Sequence, residues 1–437
     1  MALHAATVLL YPVSSTSCVS HSPRFRFGVS DHLSVCNRPR RWRLFVTCAQ
    51  SSKIRVQYVN LGAPGTTPSG ETLGSLDDNN RFPSASVRNK RDDRERQRIA
   101  LADHLLVLVH GINAGPRDWD DVKEVLQSEL GSKFLIHASS SNPTFQTFVG
   151  VDLAGKRLAD EVRQIVWTNP GLKRISFVAH SLGGLFQRYA IANLYNARDS
   201  TIAGLEPVQF VTIATPHLGM RGSKSLPMAF GVTVLEELAA IFTVGRTARQ
   251  LFLSDGELNE PPLLLRMATD CSDGCFISAL RAFKMRVAYA NVDYDQMVGW
   301  RTSSIRRETE LTTPPNRSLD GYQHIVSETL CPAVEISKTR LQSHNVKKDA
   351  VLQLSLPLSY QKTVEEEMIR GLQQMSWKKV DMNFHSATIP FLAHNHFHVK
   401  YVWPVQFEGA GLIAHIKDSI KRLDLGHVVD MALENGI

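Results

Sequence analysis

The sequence predicts an α/β protein: a mostly parallel sheet with helices on both faces. Three observations lead there. From about Ile99 onward, short apolar runs alternate with stretches of helical periodicity, the spacing of successive βαβ units. The clearest run, Leu105-Leu-Val-Leu-Val109, is apolar throughout, as a strand buried on both faces must be. Finally, His110-Gly111, Ser181 and Thr215-Pro216-His217 each stand directly after such a run. One sheet edge, the one beyond the carboxyl ends where ligands of open α/β sheets sit, therefore collects all three.

The chain before Ile99 is of another kind. Residues 1–48 hold six arginines, a single acid (Asp31) and many serines. That is the composition of an organelle transit peptide. Val46-Thr47-Cys48-Ala49 has the V-x-C-A form of a plastid processing site, so import into the chloroplast is expected, with the mitochondrion as the alternative. Without this leader 43 basic and 41 acidic side chains remain, a charge of +2 in place of +7. The body is nearly neutral, and nothing argues for nucleic acid as a partner. Residues 49–98 are rich in Gly, Pro, Ser and charge and lack apolar periodicity, the pattern of a flexible linker or arm; Ile54–Val59 alone alternates as an edge strand would.

Within 99–437 the elements follow in order. After Leu105–Val109, Asp118 is placed to cap a helix carrying Trp119, Val122, Leu126 and Leu130. Lys133–Ala138 reads as a strand, and Leu158, Val162, Ile165 and Val166 mark the next helix. Ile175-Ser-Phe-Val-Ala179 is a strand that runs through His180-Ser181-Leu182 and a glycine pair into a helix bearing Phe186, Tyr189 and Leu194. Pro207–Thr215 is the following strand. Residues 220–283 interrupt the alternation; Val234, Leu235, Leu238, Ile241, Phe242 and Gly245 share a helical face there, so a lid-like insertion is expected, against the plainer alternative of a helix packed on the body. Arg286–Asn291 resumes the sheet. A less regular stretch reaches about Tyr360, then Thr363 and Glu366 form a capping-box pattern. Lys379–Phe384 is the last strand, and a histidine-rich loop leads to a final helix with Leu412, Ile416, Ile420 and Leu423 inward.

Two classes fall away. No run of about 18 apolar residues occurs, so no spanning helix is expected. Cys271 and Cys275, three residues apart and without a second pair, make a poor metal site. They read as free thiols, with a redox-sensitive pair as the alternative, and no metal or cofactor is expected.

What remains is the strand–turn–helix at Ser181. Ala179-His180-Ser181-Leu182-Gly183 has the form of a nucleophile elbow, G-x-S-x-G, with Ala for the first glycine. A serine needs a base within hydrogen-bond reach and a carboxylate to orient that base. Asp293 and Asp295 follow a later strand, and His385, His394, His396 and His398 follow the last one. That is the chain order nucleophile, acid, histidine. The N–H of Leu182, after the serine and at a helix N-terminus, is placed to meet a developing oxyanion. His180 comes too early in that order to be the base, and His217 is expected to line the pocket.

The sequence resembles the plant and fungal serine esterase family of lipase-like α/β-hydrolases. The likeness is carried by Leu108-Val-His110-Gly111-Ile112, Asp118-Trp119, Asp152-Leu-Ala-Gly-Lys-Arg-Leu158, Ala179–Leu185, Thr215–Gly219, Asp295 through Arg301-Thr-Ser-Ser304, and Ala393-His394-Asn395. It implies the α/β-hydrolase fold and cleavage of carboxylic esters, with acyl lipids as the substrate class. It further implies Asp295 as the acid, His394 as the base with His385 still within possible reach, and the N–H of Ile112 as second oxyanion donor. The insertion would supply peripheral membrane contact. An acyltransferase using the same residues and a non-catalytic binding protein on the same fold are the rival expectations.

Overall fold

The computed structural model describes residues 101–220, 245–256, 260–313, 316–334, 358–399, 401–402 and 405–424. Residues 1–48, expected as a transit peptide, the expected arm 49–98 with Ile54–Val59, and the helix expected over 234–244 lie outside the described residues.

Among the described residues seven strands make the central sheet: β1 (His104–Val109), β2 (Phe134–Ala138), β3 (Arg174–His180), β4 (Glu206–Ile213), β5 (Met285–Asn291), β6 (Ile325–Cys331) and β7 (Trp377–Met382). Their spatial order is β6-β7-β5-β4-β3-β1-β2. Every pairing is parallel except β6 with β7. The predicted mostly parallel sheet is what forms. β6 was not expected. It lies at an edge, and only Ile325 and Val326 of its seven residues are buried, so it lacks the apolar run that marked the other strands.

Register places the site. Val109 pairs with Ala179, His180 with Ile213, Ile213 with Tyr289, and Asn291 with Met382. The carboxyl ends of β1, β3, β4, β5 and β7 thus finish on one line, and residues just beyond each strand become neighbours.

Two cores flank the sheet, because side chains of each strand alternate between faces. One face of β1 (Leu105, Val107, Val109) and β3 (Ile175, Phe177, Ala179) packs against α2 (Val151–Thr168) and α3 (Gly183–Leu194). The other face, with Leu106, Leu108 and Val178, meets α1 (Asp120–Leu130) through Val122, Leu126 and Leu130. α3 is buried almost all round, since α2 covers it from outside. The two helices approach closely at Gly155, where a Cβ would stand 2.5 Å from that of Tyr189.

Residues 245–283 depart from the lid expectation where they are described. α4 (Gly245–Leu251), α5 (Leu263–Arg266) and α6 (Phe276–Ala282) send Leu251, Leu263, Leu264, Phe276, Ile277 and Leu280 into the first core. α6 is the crossover helix before β5, so the βαβ alternation is restored rather than broken. Between α5 and α6, Asp270–Cys271 and Gly274–Cys275 form a small antiparallel hairpin. Cys271 pairs with Gly274 and Asp270 with Cys275, which turns the two thiols to opposite faces. Both are free and exposed, and this geometry disfavours the redox-pair alternative.

α7 (Trp300–Ser304) follows β5, and α8 (Leu358–Leu372) precedes β7. Thr363 does not open α8: the helix starts five residues earlier, and Glu366 is taken by the Arg307 guanidinium at 2.6 Å. Asp118 likewise folds back, accepting the Gly115 N–H at 2.8 Å within a 3₁₀ turn ahead of α1. α9 (Ala410–Asp424) lies on the second core with Leu412, Ile413, Ile416 and Ile420 inward. No described helix is long and apolar enough to cross a membrane.

Candidate active site

β3 ends at His180 and α3 begins at Gly183, so the chain reverses within two residues. Ser181 sits in the reversal at φ +53°, a left-handed conformation costing a non-glycine residue roughly 1–2 kcal/mol. Three hydrogen bonds hold it there. Its N–H donates to Ile213 O at 2.8 Å, its carbonyl accepts the Thr215 hydroxyl at 2.8 Å, and that carbonyl also takes the Gly184 N–H at 3.1 Å. The two glycines are steric necessities. A Cβ on Gly183 would lie 2.5 Å from His110 O, and one on Gly184 would lie 2.1 Å from Thr215 Oγ1. Ala179, fully buried, is tolerated where the pattern usually has glycine.

The Ser181 hydroxyl meets His394 Nε2 at 2.9 Å, and His394 Nδ1 meets Asp295 Oδ2 at 2.9 Å. A carboxylate only accepts, so Nδ1 carries the proton and Nε2 is left to accept from serine. All three groups are buried: 4 % of Ser181 is exposed, and 6 % and 2 % of the His394 and Asp295 side chains. Burial presses the Asp295 carboxyl toward a higher pKa, but the His394 ring, the Val298 N–H and the Asn291 amide together overcome it and hold the pKa below the usual carboxylate range. Met297 N–H donates to Oδ1 as well, at 2.9 Å. Asp295 is therefore ionised and fixed in direction.

The other sequence candidates fall elsewhere. Asp293 is exposed and accepts the N–H of Tyr294, the part of a turn residue. His385 is turned to the Tyr294 hydroxyl at 2.9 Å, and the imidazole beside Ser181 is that of His394. His396 is buried, accepting Glu408 N–H and donating to Ile389 O, so it packs the loop. His217 does not line a pocket: it is wholly buried beside the Thr212 hydroxyl and the edge of Trp377. Burial, then the Arg188 charge, drive its pKa far down. Arg188 is itself buried, lowered to about 9, and its guanidinium ties His217 O to Met267 O.

Some contributors went unread. His180, too early in the chain order to be the base, donates from Nε2 to the backbone carbonyl of His394 at 2.8 Å and stacks on Phe397 at 4.0 Å. Burial and the neighbouring His394 hold it neutral. It thus fixes the loop that presents His394. Thr302 joins α7 to the loop after β4, accepting Leu218 N–H and donating to Gly219 O. The only sequence sign of either was a polar residue next to a motif.

The His110-Gly111-Ile112 turn lies against the serine, where a Cβ on Gly111 would stand 2.9 Å from the Ser181 Cβ. Among the described residues, neither Leu182 N–H nor Ile112 N–H donates to another protein group. No cluster of His, Cys, Asp and Glu able to hold a metal ion occurs among the described residues. A serine hydroxyl hydrogen-bonded to a neutral imidazole, with a carboxylate behind it, can pass its proton to the ring as the oxygen attacks an electrophilic carbon.

A mostly parallel sheet covered on both faces, with a serine at a positive-φ turn between strand and helix, is the α/β-hydrolase fold. Residues 100–305 match the family model described as "Putative serine esterase (DUF676)". That span takes in Ile112, Ser181, Leu182 and Asp295 and stops short of His394. "Putative lipase ROG1" of Saccharomyces cerevisiae is 30% identical over 207 residues, 46% of this chain and 28% of its own. "Putative lipase C4A8.10" of Schizosaccharomyces pombe is 31% identical over 212 residues, 46% of this chain and 26% of its own. The chain thus spans little more than a quarter of these relatives' length. Among solved structures, the mature Bacillus licheniformis lipase BlEst2 aligns with 44% of this chain and 68% of its own at 17% identity and a TM-score of 0.27, too slight a likeness to bear on the site.

Proposed function

We propose that the protein is a serine hydrolase of carboxylic esters, with acyl lipids as its substrate class. The observation that carries this reading is the unbroken hydrogen-bonded line from Ser181 through His394 to Asp295. In this reading Ser181 Oγ attacks the ester carbonyl as its proton passes to His394 Nε2. The carbonyl electron pair moves onto oxygen, facing the N–H groups of Leu182 and Ile112. Collapse expels the alcohol, which leaves with the proton from His394 and an acyl group on Ser181. Water then repeats the sequence and frees the acid. Asp295 remains a carboxylate throughout and stabilises the imidazolium.

The lipid part is supported by the wording of the yeast relatives' names and by the apolar composition of residues 234–245. Turnover of galactolipids, phospholipids and acylglycerols by the protein lacking residues 1–48, beside short-chain esters, tests it. Hydrolysis of short esters alone would remove the lipid assignment. Transfer of the acyl group to an added alcohol in preference to water would make the protein an acyltransferase.

Asp295→Asn is expected to lower kcat by about 10⁴-fold while leaving KM within a few-fold, because an amide can donate to Nδ1 and so stabilise the wrong tautomer. Steady-state kinetics on a short ester measure this. A loss under tenfold would remove Asp295 from the proposed role.

A further inference from the structure

Behind the turn that carries Ile112 lies a second layer of buried hydroxyls. Asn113, the next residue, is held at φ +51°. Its N–H donates to Thr147 Oγ1 at 2.9 Å, and that hydroxyl donates in turn to Thr144 O at 2.6 Å. A second bond, Thr144 N–H to Ala114 O at 2.8 Å, joins the two loops one step further on. Thr147 has no exposed surface, so these bonds are made away from water.

The layer continues into α4. The Thr247 hydroxyl, equally buried, donates to Thr147 O at 2.8 Å and accepts the Gly150 N–H at 2.9 Å. One turn along, Gln250 accepts the Val151 N–H at 2.6 Å and donates to Asp152 Oδ1 at 2.9 Å. Arg246 closes the set on Asp152 Oδ2 at 2.9 Å. Gly245 permits the approach, since a Cβ there would meet Phe148 O at 2.6 Å. Two successive backbone N–H groups at the start of α2, those of Gly150 and Val151, and the Asp152 carboxylate are thus satisfied by α4, and the same loop is clipped to the turn after β1.

We infer that Thr147 is a positioning residue for the Ile112 N–H, with Thr247 of α4 holding Thr147 in place. The inference rests on the proposed role of Ile112 in meeting the oxyanion. A backbone donor works only if it points at the oxygen that develops charge, and misplacement of about 1 Å can cost on the order of 100-fold. Ile112 has no side-chain means of aiming its N–H. The one-residue-distant bond from Asn113 to Thr147 supplies the aim, and the left-handed Asn113 is the point at which the turn would relax without it.

Two variants separate positioning from bulk packing. Thr147→Val keeps the volume and removes the hydroxyl; Thr147→Ser keeps the hydroxyl and removes a methyl. Thr147→Val is expected to lower kcat for a short ester by 10- to 100-fold with KM within about threefold, whereas Thr147→Ser stays within about threefold of wild type. Amide hydrogen exchange, which needs no turnover, is expected to quicken over residues 112–114 in Thr147→Val and not in Thr147→Ser. Unchanged exchange in Thr147→Val would overturn the inference outright. So would quickened exchange with full activity, or equal losses in both variants. A wild type that neither hydrolyses esters nor reacts with a fluorophosphonate would instead overturn the proposed function, and the role of Thr147 with it, even if the exchange result were as expected.

Discussion

Ser181→Ala is expected to abolish labelling by a fluorophosphonate probe and to lower kcat for ester hydrolysis by roughly 10⁶-fold. The size follows from what is lost. Without Oγ there is no covalent acyl intermediate, and His394 keeps its orientation through Asp295 but has no proton to take. Any remaining rate is what bound, polarised substrate can give to water. The fold should hardly notice. The variant keeps the Cβ that sits against Gly111, and Ala214 in the next turn already holds φ +49°, so alanine is tolerated in this geometry. The one lost bond, to His394 Nε2, is worth about 1 kcal/mol, a shift of a few degrees at most in Tm for a chain of this size. Intact-protein mass spectrometry after labelling gives the result directly. Labelling of Ser181→Ala to the wild-type extent would place the nucleophile elsewhere, and an unlabelled wild type would remove the enzyme reading.

How much of this could be read in advance depended on how local the signal was. The elbow was legible because its constraints are packed into ten residues, Ile175–Gly184: an apolar β-branched run, a serine and two glycines that a Cβ would block. β1 and β3 were legible because strands buried on both faces are apolar along most of their length, Leu105–Val109 without a break and β3 interrupted inside only by Ser176. β6 was not, because an edge strand with one wet face carries Ser327, Glu328 and Thr329, a pattern shared with loops. For α4 through α6 the plainer expectation, helices packed on the body, is the one that holds; the segment's helical periodicity does not say which core a helix joins. The acid was legible as a pair, Asp293 and Asp295, since both follow β5 by a few residues. What separates them is orientation: Asp295 receives two backbone N–H groups and Asn291, and Asp293 closes its own turn. The buried hydroxyls of Thr147, Thr247 and Thr302 were silent, since one threonine looks like another until its neighbours are known.

The histidines make the same point and yield the second large effect. Four of them crowd the loop after β7, and spacing alone could not choose. His394→Ala is expected to lower kcat by about as much as Ser181→Ala, roughly 10⁶-fold, because nucleophile and base act as a unit. For the same reason the double variant should be no slower than either single one. His385→Ala is expected to stay within about twofold, its ring engaged by the Tyr294 hydroxyl at the surface. His180→Ala should fall between. It leaves Ser181, His394 and Asp295 in place but removes the donor to the His394 carbonyl and the ring stacked on Phe397, so the base is present and less well held. Kinetics of the three variants on one short ester, with added imidazole as a rescue arm, rank them. Imidazole should restore part of the rate to His394→Ala alone, since only there is a general base missing beside an intact serine. If His394→Ala kept more than about one hundredth of the wild-type rate while His385→Ala fell below it, the base would be His385, and the loop would have to turn over its Pro390–Asn395 segment to bring that ring to Ser181.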